Sequence, residues 1–372
     1  EWLRVNNEMG HCLVVVPTSL TYNWVSEVEK FAPNIAVFNY SSQTRDKHEK
    51  FLAKNKNSLT VITYGLFNRN CKNLENDATW NITLFDEAQN LKNITATRTG
   101  YARKFPCNVK FCLTGTPMEN HYGEFYSLVD IAVPGALGSY SDFMKAFNFK
   151  ASKGVNFKNM EQDLEYLKLK TAPLVMRRTK EKILKELPDK TETSIKLDFE
   201  AKQEKIYRDI AIAYNEKIKE VVYLKGDNKS QLEILSAILR LRQACSYPQA
   251  LPEVKYDKEP PKFKALFGQL SQISEEGHKS LVFTNFKTTL LAIEEGLEEQ
   301  GQKVFIITGA TPKKKREKIL KDYEEYEGAA VLGMTLKTGG VGLNLTCANY
   351  VFHVEPWWNP AAESQATDRA HR

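Results

Sequence analysis

The sequence predicts an α/β protein with two separate parallel sheets and a helical region between them. Three observations predict this. From Leu13 to about Tyr140, short apolar runs (LVVVP, TVITY, ITLFD, KFCLTG) alternate with amphipathic stretches, as expected of strands buried on both faces and joined by helices. From about Ser141 to Pro261 the strand signal disappears and charged, helix-forming sequence takes over. From Lys262 the alternation resumes through SLVFTNF, KVFIITG, Val331 to Met334 and Tyr350 to Val354. The domains read as 1–140, 141–261 and 262–372. In sheets of this kind ligands sit outside the carboxyl ends of the strands, so the residues that follow each run are the first functional candidates.

In the first region, Trp24, Val28 and Phe31 recur at i, i+4 and i+7, which predicts an amphipathic helix with Trp24 in the core. ITLFD ends on the acidic pair Asp86 and Glu87. One carboxylate of such a pair can hold a magnesium ion through water while the other positions or deprotonates an attacking water. The competing role is N-capping of the helix that follows. In the middle region, Phe199 to Leu224 and Gln231 to Tyr247 read as long helices, and the proline-rich, charged LPEVKYDKEPPK reads as a linker. The second alternating region adds a helix up to Glu276, one around 287–300, and one from Pro312 that opens on four basic residues, Lys313 to Arg316. Those four charges suit either a solvated face or a phosphate-facing one.

The 372 residues, 42% hydrophobic and 26% charged, suffice for more than one core. No apolar run is long enough to span a bilayer, and EWLRVNNEMG has no signal-peptide layout, so an intracellular protein without membrane association is expected. Six scattered cysteines without a C-x-x-C pair read as free thiols rather than zinc ligands or disulfides. A net charge of +6 with a pI near 8.7 permits nucleic-acid binding without requiring it.

The tail is the densest in chemistry. A glycine loop (Gly339, Gly340, Gly342) lies between two predicted strands, and Asn359 followed by Pro360 marks a helix start. With that helix run to the end of the chain, Gln365, Arg369 and Arg372 fall at i, i+4 and i+7 on one face. Forked guanidiniums match phosphate oxygens; the plainer alternative is a solvated helix with an Asp368 to Arg372 pair. Together the strings GGVGLNL, PWWNPA and QATDRAHR resemble motifs five and six of the Swi/Snf-type ATPases, the DNA-translocating branch of helicase superfamily two.

The resemblance spans essentially the whole chain and implies two RecA-like lobes, 1–140 and 262–372, with the family's helical insertion between them. It implies that Arg369 and Arg372 are arginine fingers reaching across a cleft to ATP, with Gln365, Gly340 and Gly342 beside the nucleotide. DEAQ resembles motif two, which makes Asp86 and Glu87 the magnesium and water-activating pair. LTGTP resembles motif three and places Thr114, Gly115 and Thr116 at the nucleotide. VVVPTSLTYNW is similar to motif Ia, where Pro17, Thr18 and Ser19 would set hydroxyls and helix-start amides against a DNA phosphate. Thr63, Tyr64 and Gly65 resemble motif Ib on the same DNA side. TNF, with Asn285, resembles motif four, and ITGATPKKKREKI would turn Thr308, Gly309 and Lys313 to the DNA backbone. Thr335, Lys337 and Thr338 open the tail loop within reach of phosphate. Of Trp357 and Trp358, one packs and the other, taken as Trp358, lines the DNA groove or lobe contact. PLVMRRTKEKILKELPDK and LRLRQACSYP are also similar to family segments, with Arg177 and Arg178 bracing the lobes or touching DNA.

The sequence contains no G-x-x-x-x-G-K-[ST], the loop that holds nucleotide phosphates in this family. Glu1 lies only a few residues before the motif Ia string, so that loop is expected upstream; a degenerate site is the alternative. The 372 residues alone are expected not to hydrolyse ATP at a useful rate. The tail likewise stops at Arg372, short of the I-G-Q that usually follows motif six. The function implied is ATP- and Mg2+-dependent translocation on double-stranded DNA, with little sequence specificity and displacement of bound proteins. A strand-separating helicase and an ATP-independent DNA-binding scaffold are the alternatives. DEAQ in place of DEAH and the compact insertions look bacterial, implying RNA polymerase or nucleoid proteins as partners and the bacterial nucleoid as the location, or the nucleus in a eukaryote.

Overall fold

The computed structural model describes residues 2–118, 121–147, 157–179, 182, 190–225, 227–339 and 345–371. The chain divides into two compact units, Glu1–Lys185 and Glu186–Arg372.

The first unit is built on a five-stranded sheet of β1 (His11–Val16), β2 (Ala36–Asn39), β3 (Ser58–Thr63), β4 (Trp80–Phe85) and β5 (Val109–Cys112). Its order is β2-β3-β1-β4-β5, and every pairing is parallel. The central strand is the most apolar run of the region: Leu13, Val15 and Val16 are fully buried because helices cover both faces. Strand β2 has only four residues at the sheet edge, and its short apolar run, Ile35 to Phe38, is not among the predicted strands. At the opposite edge β5 leaves Val109, Phe111 and Leu113 exposed. Each of β1, β3 and β4 leads directly into a short turn or helix, so Pro17, Tyr64 and Asp86 leave the sheet side by side; the register pairs Val16 with Thr63 and Val15 with Phe85.

The second unit contains the helix pair Ala201–Lys225 and Asp227–Ser246, followed by a four-stranded parallel sheet. Its strands are β6 (Ser280–Thr284), β7 (Val304–Ile307), β8 (Val331–Thr335) and β9 (Tyr350–His353), in the order β7-β8-β6-β9. Leu281, Phe283, Ile307, Leu332 and Met334 close its core. The final helix, expected to run to the end of the chain, spans only Pro360–Thr367. The Asp368 amide caps it by donating to the carbonyls of Ala366 and Ser364, and the carbonyl of Arg369 accepts the amide of Leu345 at 3.0 Å instead of a helical partner. Arg369 therefore lies in a turn rather than on a continuing helical face with Gln365.

All six cysteines are free, with burial raising the thiols of Cys12 to about 11 and of Cys71 and Cys112 to about 12. Among the described residues no helix is long and apolar enough to cross a membrane.

Candidate functional site

In the first unit the candidate residues converge on Asp86. Its amide donates to the carbonyl of Val15, which continues the sheet hydrogen bonding one residue beyond β4. Oδ1 accepts the amide of Glu87 at 2.9 Å, Oδ2 accepts the indole N–H of Trp24 at 2.8 Å, and the main-chain carbonyl accepts the phenol of Tyr64 at 2.8 Å. Glu87 has a left-handed backbone, φ 49° and ψ 50°, uncommon without glycine and costing about 1–3 kcal/mol. Two donors from Asn90, its amide and its side-chain N–H, hold the Glu87 carbonyl and stabilise the turn. The Glu87 side chain is thereby directed back toward the motif-three loop.

A chain of hydrogen bonds runs from there. Gln89 donates to Glu87 Oε2 at 2.7 Å and accepts from Thr114 Oγ1 at 2.7 Å, while Thr114 Oγ1 accepts the amide of Thr116 at 3.0 Å. Gly115 is exposed between them. Gln89 links carboxylate and loop, a role the sequence reading did not assign, although the residue closes the DEAQ string. Asp86 and Glu87 stand at a strand end with oxygens that retain acceptor capacity. Among the described residues no group of three or more His, Cys, Asp or Glu could cage a metal. This donor set fits Mg2+, which keeps several waters and uses one or two carboxylates together with substrate phosphates.

The segments beside this pair depart from the sequence reading in two places. Trp24 is half-buried and bonded to Asp86, while Phe31 on the same expected face is 68% exposed. The face predicted as core is one only in part: Val28 packs against Met9, Cys12 and Ile35, while the indole N–H of Trp24 requires a polar partner and finds it at the end of the sheet. Tyr64, expected to face DNA, is 8% exposed with its ring in the core, and burial pushes its phenol well up so that it stays a donor. Pro17 precedes a 3-10 turn over Thr18–Leu20, with Thr18 exposed and Ser19 half-buried. Thr63 caps the helix Tyr64–Asp77, accepting the amide of Leu66, and Gly65 is exposed.

In the second unit the buried hub is Glu355, which the sequence reading missed because a glutamate before PWWNP carries no special spacing. It is 4% exposed, and its two carboxyl oxygens accept from Thr284 Oγ1 at 2.9 Å, from the Asn285 amide at 2.8 Å and from Ser246 Oγ. Asn285, expected to face DNA, also turns its side-chain N–H to the Glu355 carbonyl at 3.3 Å and so contributes to this internal bracket. Three donors on one carboxyl group gather the ends of β6, of β9 and of the helix Asp227–Ser246. Arg242, one turn before Ser246, donates to the Pro356 carbonyl at 2.7 Å. Its guanidinium lies 5.0 Å from the Trp357 ring, 4.8 Å from Trp358 and 5.7 Å from Phe286. Trp357 packs against the core, while Trp358 is 63% exposed on the guanidinium plane. Arg242→Ala is expected to lower stability by about 1–2 kcal/mol and to red-shift tryptophan emission. Unchanged emission together with an unchanged thermal midpoint would refute this.

Along the same sheet edge, Thr308 bonds Thr311 in a tight turn with Gly309 exposed, and Thr335 bonds Thr338 at 2.7 Å. Lys337 is exposed, whereas Thr338 is 7% exposed. Lys313 begins the helix Lys313–Glu325. Gln365 is half-buried on the last helix, and Arg369 is 6% exposed. Gly340, Gly342 and Arg372 lie outside the described residues.

Two parallel α/β units, one with an acidic pair linked to a Thr-Gly-Thr loop and the other followed by QATDRAHR, define a helicase-type ATPase core. The SNF2-related domain matches residues 3–250 and the helicase conserved C-terminal domain matches residues 261–372. The chain belongs to the SNF2-related family. It is 34% identical over 363 residues to an uncharacterized ATP-dependent helicase of Mycoplasma pneumoniae, covering 97% of this chain and 33% of that protein. It is 32% identical over 368 residues to a putative ATP-dependent helicase/translocase of Bacillus subtilis, covering 97% of this chain and 39% of that protein. The chain thus spans between 33% and 39% of the length of these relatives. A solved Sulfolobus solfataricus SWI2/SNF2 ATPase core in complex with dsDNA is 30% identical, with a TM-score of 0.46, covering 100% of this chain and 76% of that one.

Proposed function

We propose that this chain is the motor core of an ATP-dependent translocase that moves along double-stranded DNA and displaces proteins bound to it. The observation that carries the reading is the Glu87–Gln89–Thr114 hydrogen-bonded chain beside Asp86, at the strand ends from which segments 17–19 and 63–65 also leave. Asp86 would hold Mg2+, which when bound would supply charge neutralisation at the phosphates. Glu87 takes the proton of the attacking water, and Gln89 keeps its carboxylate aimed. Thr114 and Thr116 make that aim sensitive to the loop. Arg369 and Arg372 are assigned to the phosphates by family resemblance, with Gln365, Gly340 and Gly342 nearby.

Pro17, Thr18, Ser19, Thr63, Gly65, Thr308, Gly309, Lys313, Thr335 and Lys337 are assigned to DNA phosphates, and Trp358 to the groove. Contacts of this kind give little sequence specificity and a steep loss of affinity with salt. Relatives in Mycoplasma and Bacillus support a bacterial setting, in which the displaced partner is a DNA-bound protein such as RNA polymerase and the place of work is the nucleoid.

The test is ATP hydrolysis by the full-length protein without nucleic acid, with single-stranded DNA and with duplex DNA. Strong stimulation by duplex is expected, with no strand separation. Strand separation would favour a helicase, and no hydrolysis under any condition would favour a DNA-binding scaffold.

A further inference from the structure

Asp86 is held by three donors, Glu87, Trp24 and Tyr64, and the last two lie on the helices that follow the segments assigned above to DNA. Trp24 lies in the first turn of the helix Thr21–Phe31, five residues after Ser19, and donates to Asp86 Oδ2 at 2.8 Å. Tyr64 opens the helix Tyr64–Asp77, flanked by Thr63 and Gly65, and donates to the Asp86 carbonyl at 2.8 Å. One ring fixes the carboxylate and the other fixes the peptide plane behind it. The packing of Trp24 does not explain its place, since its helix leaves Phe31 68% exposed and the indole is half-buried. The N–H bond does explain it.

We propose that Trp24 and Tyr64 are positioning residues that transmit duplex engagement at segments 17–19 and 63–65 to the Asp86 carboxylate, so that ATP turnover depends on DNA. The proposal rests on the reading that those segments bind DNA. Each ring is rigid, and each is attached within a few residues of a loop that would grip a phosphate. A displacement of either loop therefore moves a donor that holds Asp86. Hydrogen bonds weaken steeply once stretched or bent, so such a displacement changes how the carboxylate is held rather than merely shifting it. The strands between the two loops, β1 and β3, are adjacent and in register at Val16 and Thr63, so one duplex backbone can engage both loops together.

The experiment uses the full-length protein with 5-fluorotryptophan at all tryptophans, the Trp24 fluorine signal being assigned with Trp24→Phe. Adding a duplex oligonucleotide is expected to shift the Trp24 signal. Trp24→Phe is expected to lower duplex-saturated kcat about ten-fold, the size of a lost hydrogen bond to a charged group, while the Kd for duplex stays within about two-fold. Tyr64→Phe, which deletes one oxygen and keeps the buried ring, is expected to act in the same direction even if Trp24→Phe fails to fold. The double variant is expected to lose less than the product of the two effects because both act on one residue. If duplex binds while the Trp24 signal stays fixed and both variants keep wild-type kcat, the coupling is refuted and the DNA reading stands. If no duplex binds at all, the DNA reading fails and the coupling fails with it.

Discussion

Glu87→Gln is expected to lower duplex-stimulated ATP turnover of the full-length protein by about 10²–10⁴-fold, the range for loss of a general base. The substitution is chosen for what it keeps. Glutamine retains an oxygen that can accept from Gln89, so the link to Thr114 survives and only the basicity of the group is removed. The left-handed backbone at position 87 is held by Asn90 through the main-chain carbonyl and does not depend on the side chain. Folding and duplex affinity should therefore be unchanged, which thermal unfolding and a fluorescence titration with labelled duplex would establish. A loss of less than about five-fold in kcat would remove Glu87 from the role of base, since even weak general-base catalysis exceeds that.

Glu355→Ala is expected to destabilise the second unit by about 3 kcal/mol, because it strands several donors at once. Ser246 and Thr284 are essentially fully buried, so their hydroxyls have no ready access to water once the carboxyl group is gone. The Asn285 amide loses its acceptor as well. For a unit of this size the thermal midpoint should fall by roughly 2–4 °C per kcal/mol. Amide exchange in β6 and β9 should accelerate, because the ends of both strands are tied through this residue. Glu355→Gln, which keeps an acceptor oxygen, should cost distinctly less. A midpoint unchanged in the alanine variant would show that the bracket is dispensable.

The two predictions differ in how visible their residues are in the sequence. Glu87 is legible because an acidic pair closing an apolar strand has few chemical uses and the strings around it narrow them further. Glu355 is silent, because its importance comes from Ser246, Thr284 and Asn285, which are distant in the chain and meet only when β6 and β9 pair. Trp24 shows a different failure. Helical spacing correctly placed a helix there, yet periodicity cannot say whether a face meets a core or a sheet edge, and the indole N–H decided the matter by bonding Asp86.

The end of the chain teaches the same lesson. Asn359 and Pro360 started a helix as their chemistry predicts, with the Asn359 side chain accepting the Ala361 amide. Nothing local announced its stop after Thr367, where the bond from Leu345 to the Arg369 carbonyl takes the chain out of helical geometry. By itself the sequence determined the α/β class, eight of the nine strands through their apolar runs, and the acidic pair, because these depend on periodicity and on neighbours in the chain. Tertiary structure alone decided which groups hold Asp86, where Arg369 lies and what Glu355 gathers, because hydrogen bonds between distant segments are chosen by packing and register.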